Sequence, residues 1–355
     1  MKRNLFVMHT QYNLILATGI ALSQHAGEDN DLIVYPEFSM TPAWKERLQS
    51  IYRKVYFVRE AYADPIPGIR GIREAAQQIQ QCEAFLESQY DEVVISQDRL
   101  FEGILVAKLR KKNPNCRCTA VEENVYFATW PVPEKMDPRK RIKRWVKSCT
   151  TKWITGVKVD MVTPYCFGGS SYIDALYVNY PTAIRKELLQ KPCIEIKREA
   201  IIMGIRALYF CEEPDPMQQK TVIILSDLLS RYANKEAVTC AFMDVASWCK
   251  KQSIRLLIKY HPREDKKIPF HGLAEELPTE VAVEKMLLEF KPSQTLVVGN
   301  VSASVEMAAK LGFTVVSVLN FTETHQAYQA CLQWGVQVPA TKKELYNILS
   351  NFNKE

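Results

Sequence analysis

The 355-residue chain has no uninterrupted apolar run near the ~20 residues that span a bilayer. Its start, Met1-Lys2-Arg3-Asn4-Leu5-Phe6-Val7-Met8, has the basic opening and apolar run of an export signal. His9, Thr10, Gln11, Tyr12 and Asn13 break that run short of the ~7–15 continuous apolar residues such a signal needs. The segment reads as a first strand ending at His9 and then a helix, so the protein is expected to be soluble and cytoplasmic. A disulfide framework is also missing. The ten cysteines (82, 116, 118, 149, 166, 193, 211, 240, 249, 331) are scattered over apparent strands and helices, which points to a reducing compartment. In the close pair Cys116-Arg117-Cys118, strand alternation turns both side chains to one face but supplies two ligands, not the four of a structural zinc site. Asp29-Asn30-Asp31 matches the Asp-x-Asp pattern that holds a divalent ion in some transferases, yet it precedes a strand and reads as a turn. No metal is therefore expected. There is no repeat at solenoid periods and no low-complexity tract.

What is present is a long, apolar, alternating chain. With 47% hydrophobic residues, 355 residues exceed what one core usually supports, so two domains are expected. Apolar runs near 4–9, 31–36, 54–59, 92–96 and 116–122 alternate with helical patterns near 11–25, 41–52, 71–89 and 99–112, which specifies parallel βαβ units. An irregular basic insertion is expected near 127–181, and Glu212-Glu213-Pro214-Asp215-Pro216 reads as a linker. Alternation resumes at 221–226, 237–252, 255–260, 282–290, 295–300, 302–312, 314–319 and 325–335. The expected domains are 1–212 and 217–355, with the last helix packing back on the first domain.

Two segments of the second half carry chemistry. Leu256-Leu257-Ile258-Lys259-Tyr260-His261-Pro262-Arg263-Glu264 reads as a buried strand that delivers an imidazole to its carboxyl end, where ligands of open α/β sheets bind. Thr295 to Asn300 reads as another buried strand, after which Ser302 and Ser304 open a helix. Free backbone N–H groups, the positive dipole end and two hydroxyls at such a start suit a phosphate. Two such halves facing across a cleft are the architecture of many nucleotide-sugar glycosyltransferases.

Lys259-Tyr260-His261-Pro262-Arg263-Glu264 resembles the His-Pro motif of bacterial sialyltransferases of GT-B fold, in the lipooligosaccharide sialyltransferase and polysialyltransferase group. Leu277-Pro278-Thr279-Glu280 resembles that family's Pro-x-Glu segment, and Val301-Ser302-Ala303-Ser304 its serine-containing phosphate turn. Asn4 to Thr10 with Asn13 resembles the opening strand and Thr-x-x-Gln turn, with Asn in place of Gln. Val121-Glu122-Glu123-Asn124 stands where the family has two acids and a glycine, so Asn124 departs from the pattern.

The resemblance implies an inverting transfer of sialic acid from CMP-sialic acid to a terminal sugar of a surface glycan, without a metal. Glu122 or Glu123 would be the base. They alternate on a strand end, so only one can face the reacting centre, and Glu123 is favoured. A neighbouring carboxylate would raise the working pKa; the plain alternative is that both acids simply cap the strand. His261 would stabilise the departing phosphate, or else cap its strand end. Ser302 and Ser304 would bind the same phosphate, a role compatible with helix capping. Glu280 would take the ribose hydroxyls or serve as a first-turn acid. Pro262, in the same turn, would belong with these nucleotide-binding residues, Lys259 and Arg263 would screen donor charge, and Thr10 and Asn13 would meet substrate. Rival readings are a transferase for CMP-Kdo or a UDP- or GDP-sugar, a sugar-nucleotide epimerase, and a catalytically silent peripheral-membrane binding protein.

The net charge of +6 is concentrated at Arg139-Lys140-Arg141-Ile142-Lys143-Arg144-Trp145-Val146-Lys147-Ser148-Cys149. Ile142, Trp145, Val146 and Cys149 fall at i, i+3, i+4 and i+7 among cations, the pattern of a basic amphipathic helix. It fits equally an anionic membrane surface, on the inner face of the plasma membrane, or a core-packed helix with a solvated basic face. Nucleic acid is not expected, because no stacking motif or recognised reader accompanies the charge.

Overall fold

A computed structural model describes residues 1–35, 38, 40–58, 68–86, 89–122, 126–129, 138–159, 167–209, 219–229, 234–321 and 327–354. The chain divides into two units, Met1–Phe210 and Cys211–Glu355. The expected linker 212–216 lies outside the described residues.

The first unit runs β1 (Arg3–Met8), α1 (Gln11–Ser23), β2 (Asp29–Val34), α2 (Pro42–Ile51), β3 (Lys54–Phe57), α3 (Gly68–Cys82), β4 (Glu92–Ile95), α4 (Leu100–Lys112), β5 (Arg117–Val121), α5 (Tyr126–Thr129), α6 (Pro138–Thr155), β6 (Ala175–Val178), β7 (Cys193–Glu195) and α7 (Arg198–Tyr209). Its seven strands are all parallel, in the order β3-β2-β1-β4-β5-β6-β7. Strands covered on both faces need apolar side chains in both directions, and Leu5, Phe6, Val7 and Met8 of β1 are all fully buried. Cys116 and Cys118 are buried in this core, and burial pushes the Cys116 thiol up to about 11. Helix α1 is buried from Asn13 to Ala21 and packs on α7. Small residues allow the close approach: a Cβ on Gly19 would lie 2.1 Å from the Ala200 carbonyl oxygen, and one on Gly204 2.2 Å from that of Ile15.

Two expectations need correction. The region 127–181 is not an irregular insertion: it holds the 18-residue α6 and the strand β6, which pairs with β5 from Thr119↔Ala175 onward. The three-residue β7 is too short to show a period. Asp29-Asn30-Asp31 is not a turn but the start of β2. Asp31 is fully buried, accepts hydrogen bonds from Arg53 Nε and Tyr90 Oη, both at 2.9 Å, and holds the guanidinium pKa above its ordinary value.

The second unit runs β8 (Thr221–Ser226), α8 (Lys235–Gln252), β9 (Arg255–Tyr260), β10 (Glu275–Glu276), α9 (Val283–Leu287), β11 (Thr295–Gly299), α10 (Ala303–Lys310), β12 (Thr314–Ser317), α11 (Tyr328–Gln333) and α12 (Lys342–Lys354). Its parallel sheet has the order β10-β9-β8-β11-β12. The apolar face of α12, Leu345, Leu349 and Phe352, lies in the core of its own unit. Lys220 Nζ also donates to the Phe352 carbonyl at 3.0 Å.

In each sheet the strand order reverses once, between β1 and β4 in the first and between β8 and β11 in the second. The carboxyl ends at such a reversal are where open α/β sheets bind ligands.

Candidate functional site

At the carboxyl edge of the second sheet, the β8–β9 pairing continues one step past the strands, His261 N donating to the Ser226 carbonyl at 3.0 Å. The half-buried imidazole accepts at Nδ1 from the Arg263 amide, 3.1 Å away. A neutral ring held this way carries its proton on Nε2, which makes that nitrogen a donor. Glu264 fixes the turn: its Oε2 accepts from Leu229 N at 2.6 Å and its Oε1 from Lys266 N at 3.0 Å, so the His-Pro turn is tied to the segment after β8. Pro262 and Arg263 are exposed.

Two strands over, β11 leads into α10. Ser302 caps that helix, its Oγ accepting from Val305 N at 3.3 Å, and Ser304 is half-buried in the first turn. The structure therefore brings His261, Ser302 and Ser304 to one sheet edge with β8 between them, roughly 10 Å apart at strand spacing. Asn300, which sequence reasoning missed, is buried just ahead of the cap, and its Oδ1 has no partner among the described residues.

Lys259, expected to screen donor charge, is buried, and its Nζ donates to the Thr279 carbonyl at 2.8 Å. Burial lowers the ammonium pKa against the opposing pull of Glu280 and Glu284. Lys259 thus anchors the turn that carries Glu280, whose own carboxylate is exposed and accepts from Thr279 Oγ1 at 3.3 Å.

The carboxyl edge of the first sheet is drier. Glu122, one of the two candidate bases, is buried and its Oε2 accepts from the Asn179 amide at 2.5 Å, which binds the end of β5 to the end of β6. Asn179 Nδ2 in turn donates to Tyr12 Oη at 2.9 Å. Glu123 and Asn124 lie outside the described residues. Thr10 caps α1, its Oγ1 accepting from Asn13 N at 3.2 Å and donating to Asn13 Oδ1 at 2.7 Å; Thr10 is half-buried and Asn13 fully buried.

Sequence reasoning also missed a cluster at the strand reversal. His9 Nε2 lies 2.6 Å from Glu102 Oε1, with both side chains buried. Asp98, just past β4, accepts from Ser170 N at 3.1 Å and Ser170 Oγ at 2.8 Å. Burial pushes its carboxyl up to about 6, partly offset by those two hydrogen bonds and reinforced by Glu102. His9 and Glu102 are 93 residues apart, so no local spacing announces them. Among the described residues no group of three or more His, Cys, Asp or Glu side chains could hold a metal ion.

Two parallel doubly wound units of this kind are the two-domain, Rossmann-like architecture of the GT-B fold. Solved structures share that fold: UDP-GlcNAc 2-epimerase from Neisseria meningitidis bound to UDP-GlcNAc, at 12% identity, matches 99% of this chain and 91% of its own with a TM-score of 0.54. The epimerase from Methanocaldococcus jannaschii, also 12% identical, matches 99% and 92% with a TM-score of 0.57. The S. aureus MnaA–UDP structure, at 12% identity, matches 100% and 89% with a TM-score of 0.56. At such identities the likeness concerns the fold alone. No curated protein matches the chain. A family model described as alpha-2,8-polysialyltransferase matches residues 118–319, more than half of the sequence, and the chain belongs to that family.

Proposed function

We propose that this glycosyltransferase moves sialic acid from CMP-sialic acid to a terminal sugar of a surface glycan, with inversion and without a metal ion. The observation that carries the reading is the His-Pro turn beside the serine-capped helix at one sheet edge, within the region matched by the polysialyltransferase family. In the proposed step, Glu123 takes the proton of the acceptor hydroxyl, whose oxygen bonds to the anomeric carbon of sialic acid. The bond from that carbon to the CMP phosphate oxygen breaks, and the electron pair leaves on the phosphate. His261 Nε2–H stabilises that charge, and a preorganised donor of this kind is commonly worth about 3–4 kcal/mol. Ser302, Ser304 and the amino end of α10 hold the same phosphate, Glu280 takes the ribose hydroxyls, and Thr10 faces the acceptor side. Because Glu122 is held inward on the Asn179 amide, the base falls to Glu123 and Glu122 positions the strand end. Lipid-borne acceptors would place the enzyme at an anionic membrane surface on the cytoplasmic side.

A thermal-shift panel of CMP, UMP, UDP, GDP and CMP-sialic acid, followed by a CMP-release assay, tests this reading. Selective stabilisation by the cytidine ligands and release of CMP are expected. Preference for a uridine or guanosine ligand would overturn the donor, and epimerisation of UDP-GlcNAc without transfer would overturn the reaction class.

A further inference from the structure

Helix α6 is mounted with its polar side inward. Ser148 and Thr151 are buried, and Arg144, Lys147 and Thr155 are half-buried beside them. Ser148 Oγ donates to the Val159 carbonyl at 2.5 Å, and the helix rests on α3. The side chains that would ordinarily seek a core point away: Trp153 is 80% exposed, Ile142 63%, Trp145 59% and Val146 48%. These four are drawn from nine large apolar residues exposed among the described residues, so this one helix carries a disproportionate share. Cys149 is exposed as well. At 3.6 residues per turn, Ile142, Trp145, Val146, Cys149 and Trp153 fall in one stripe about 100° wide, opposite the buried Ser148 and Thr151.

Cations flank the stripe on both sides. Arg141 and Lys152 fall along one border and Arg139 and Lys143 along the other, all four exposed. The core-packed arrangement expected as one reading of this helix is thereby excluded, since the apolar stripe is the outward one. An apolar stripe with two tryptophans between basic borders is what an interfacial helix needs to lie in the headgroup layer. A soluble polyanion would use the cations and leave the stripe wet, whereas an anionic bilayer uses both.

We propose that the outward face of α6 docks the protein on an anionic phospholipid surface, with Ile142, Trp145, Val146 and Trp153 entering the headgroup boundary and Arg139, Arg141, Lys143 and Lys152 meeting lipid charge. This deepens the membrane placement given above, yet it stands independently of the donor: vesicle binding can succeed where CMP-sialic acid turnover fails, and the reverse.

The test uses the full chain in flotation with vesicles of phosphatidylcholine alone and of phosphatidylcholine with about one-third phosphatidylglycerol. Binding to the anionic vesicles and little to the neutral ones is expected, with tryptophan fluorescence quenched by lipid brominated along its chains. Each basic residue near such a surface contributes about fivefold in partitioning, so Arg139→Gln with Arg141→Gln and Lys143→Gln should weaken binding about a hundredfold. Trp145→Ser with Trp153→Ser should abolish the bromolipid quenching that belongs to the stripe while leaving the thermal transition in place, because neither side chain is packed inside. The inference is overturned if the wild type ignores anionic vesicles or binds neutral ones equally. It is equally overturned if the stripe variant binds and is quenched like wild type, if the chain instead self-associates through this face, or if acidic polysaccharide alone captures it in a manner dependent on the same residues.

Discussion

The carboxyl edges of the two sheets hold their polar groups in opposite ways. On the first, His9, Glu102, Asp98 and Glu122 are buried and engaged with one another or with backbone amides. On the second, His261 and Ser304 are half-buried and Glu280 and Arg263 exposed, with His261 and Arg263 bonded to each other and Glu280 to Thr279 within their own turns. A dry edge of buried, paired groups makes a rigid frame and costs heavily when one member is removed. A wetter edge with donors outward can receive an anion and let it go.

The comparison breaks if losses on the two edges are of the same kind. The largest expected effect is on the first: Glu102→Ala leaves His9 without its 2.6 Å partner inside the core and should cost about 3–5 kcal/mol in urea unfolding. A cost below 1 kcal/mol would mean the pair is not held as described. His261→Ala should instead leave the unfolding midpoint almost unchanged while CMP release falls about a hundred- to a thousandfold. Near-normal turnover would remove His261 from the leaving-group role.

Asp98 sharpens the contrast through pH. Its folded pKa of about 6 lies above the ordinary carboxyl value near 4, so its contribution to stability is fully present below about pH 4 and is lost as pH rises through 6. Asp98→Asn should therefore stabilise the protein by about 3 kcal/mol at pH 8 and by almost nothing below pH 4, and equal effects at both would refute the burial argument. The smallest effect belongs to the helix cap: Ser302→Ala should cost about 1 kcal/mol and raise KM for the donor more than it lowers kcat. Loss of the cap energy with no change in donor KM would leave Ser302 purely structural.

The parts legible in the sequence were those with a local period or a local motif. Alternating apolar runs gave the strands from β1 to β5 and the return of βαβ units after 220, and the His-Pro and Ser-Ala-Ser segments were visible because their residues are adjacent. β6 escaped because it lies within the stretch that reads as an irregular basic insertion, and β7 because three residues carry no period. His9 with Glu102 and Glu122 with Asn179 escaped because their partners are 93 and 57 residues apart. Lys259 shows a subtler limit, since a cation next to the candidate histidine was expected to screen donor charge and its Nζ holds the Thr279 carbonyl. In α6 the period was plain, but amphipathicity says only that a helix has two faces, and the buried Ser148 and Thr151 decide which one turns inward.

The tight seam between α1 and α7 has a consequence for synthesis. The apolar α1 is complete once Ser23 is made, but the backbone that Gly19 and Gly204 let it touch begins at Arg198, so the ribosome must add about 175 residues before the seam can close. At ~5–20 residues per second that is on the order of ten seconds or more with a greasy segment uncovered. A nascent chain stalled ahead of Arg198 should accordingly be held by chaperones, and one released beyond Tyr209 should let them go.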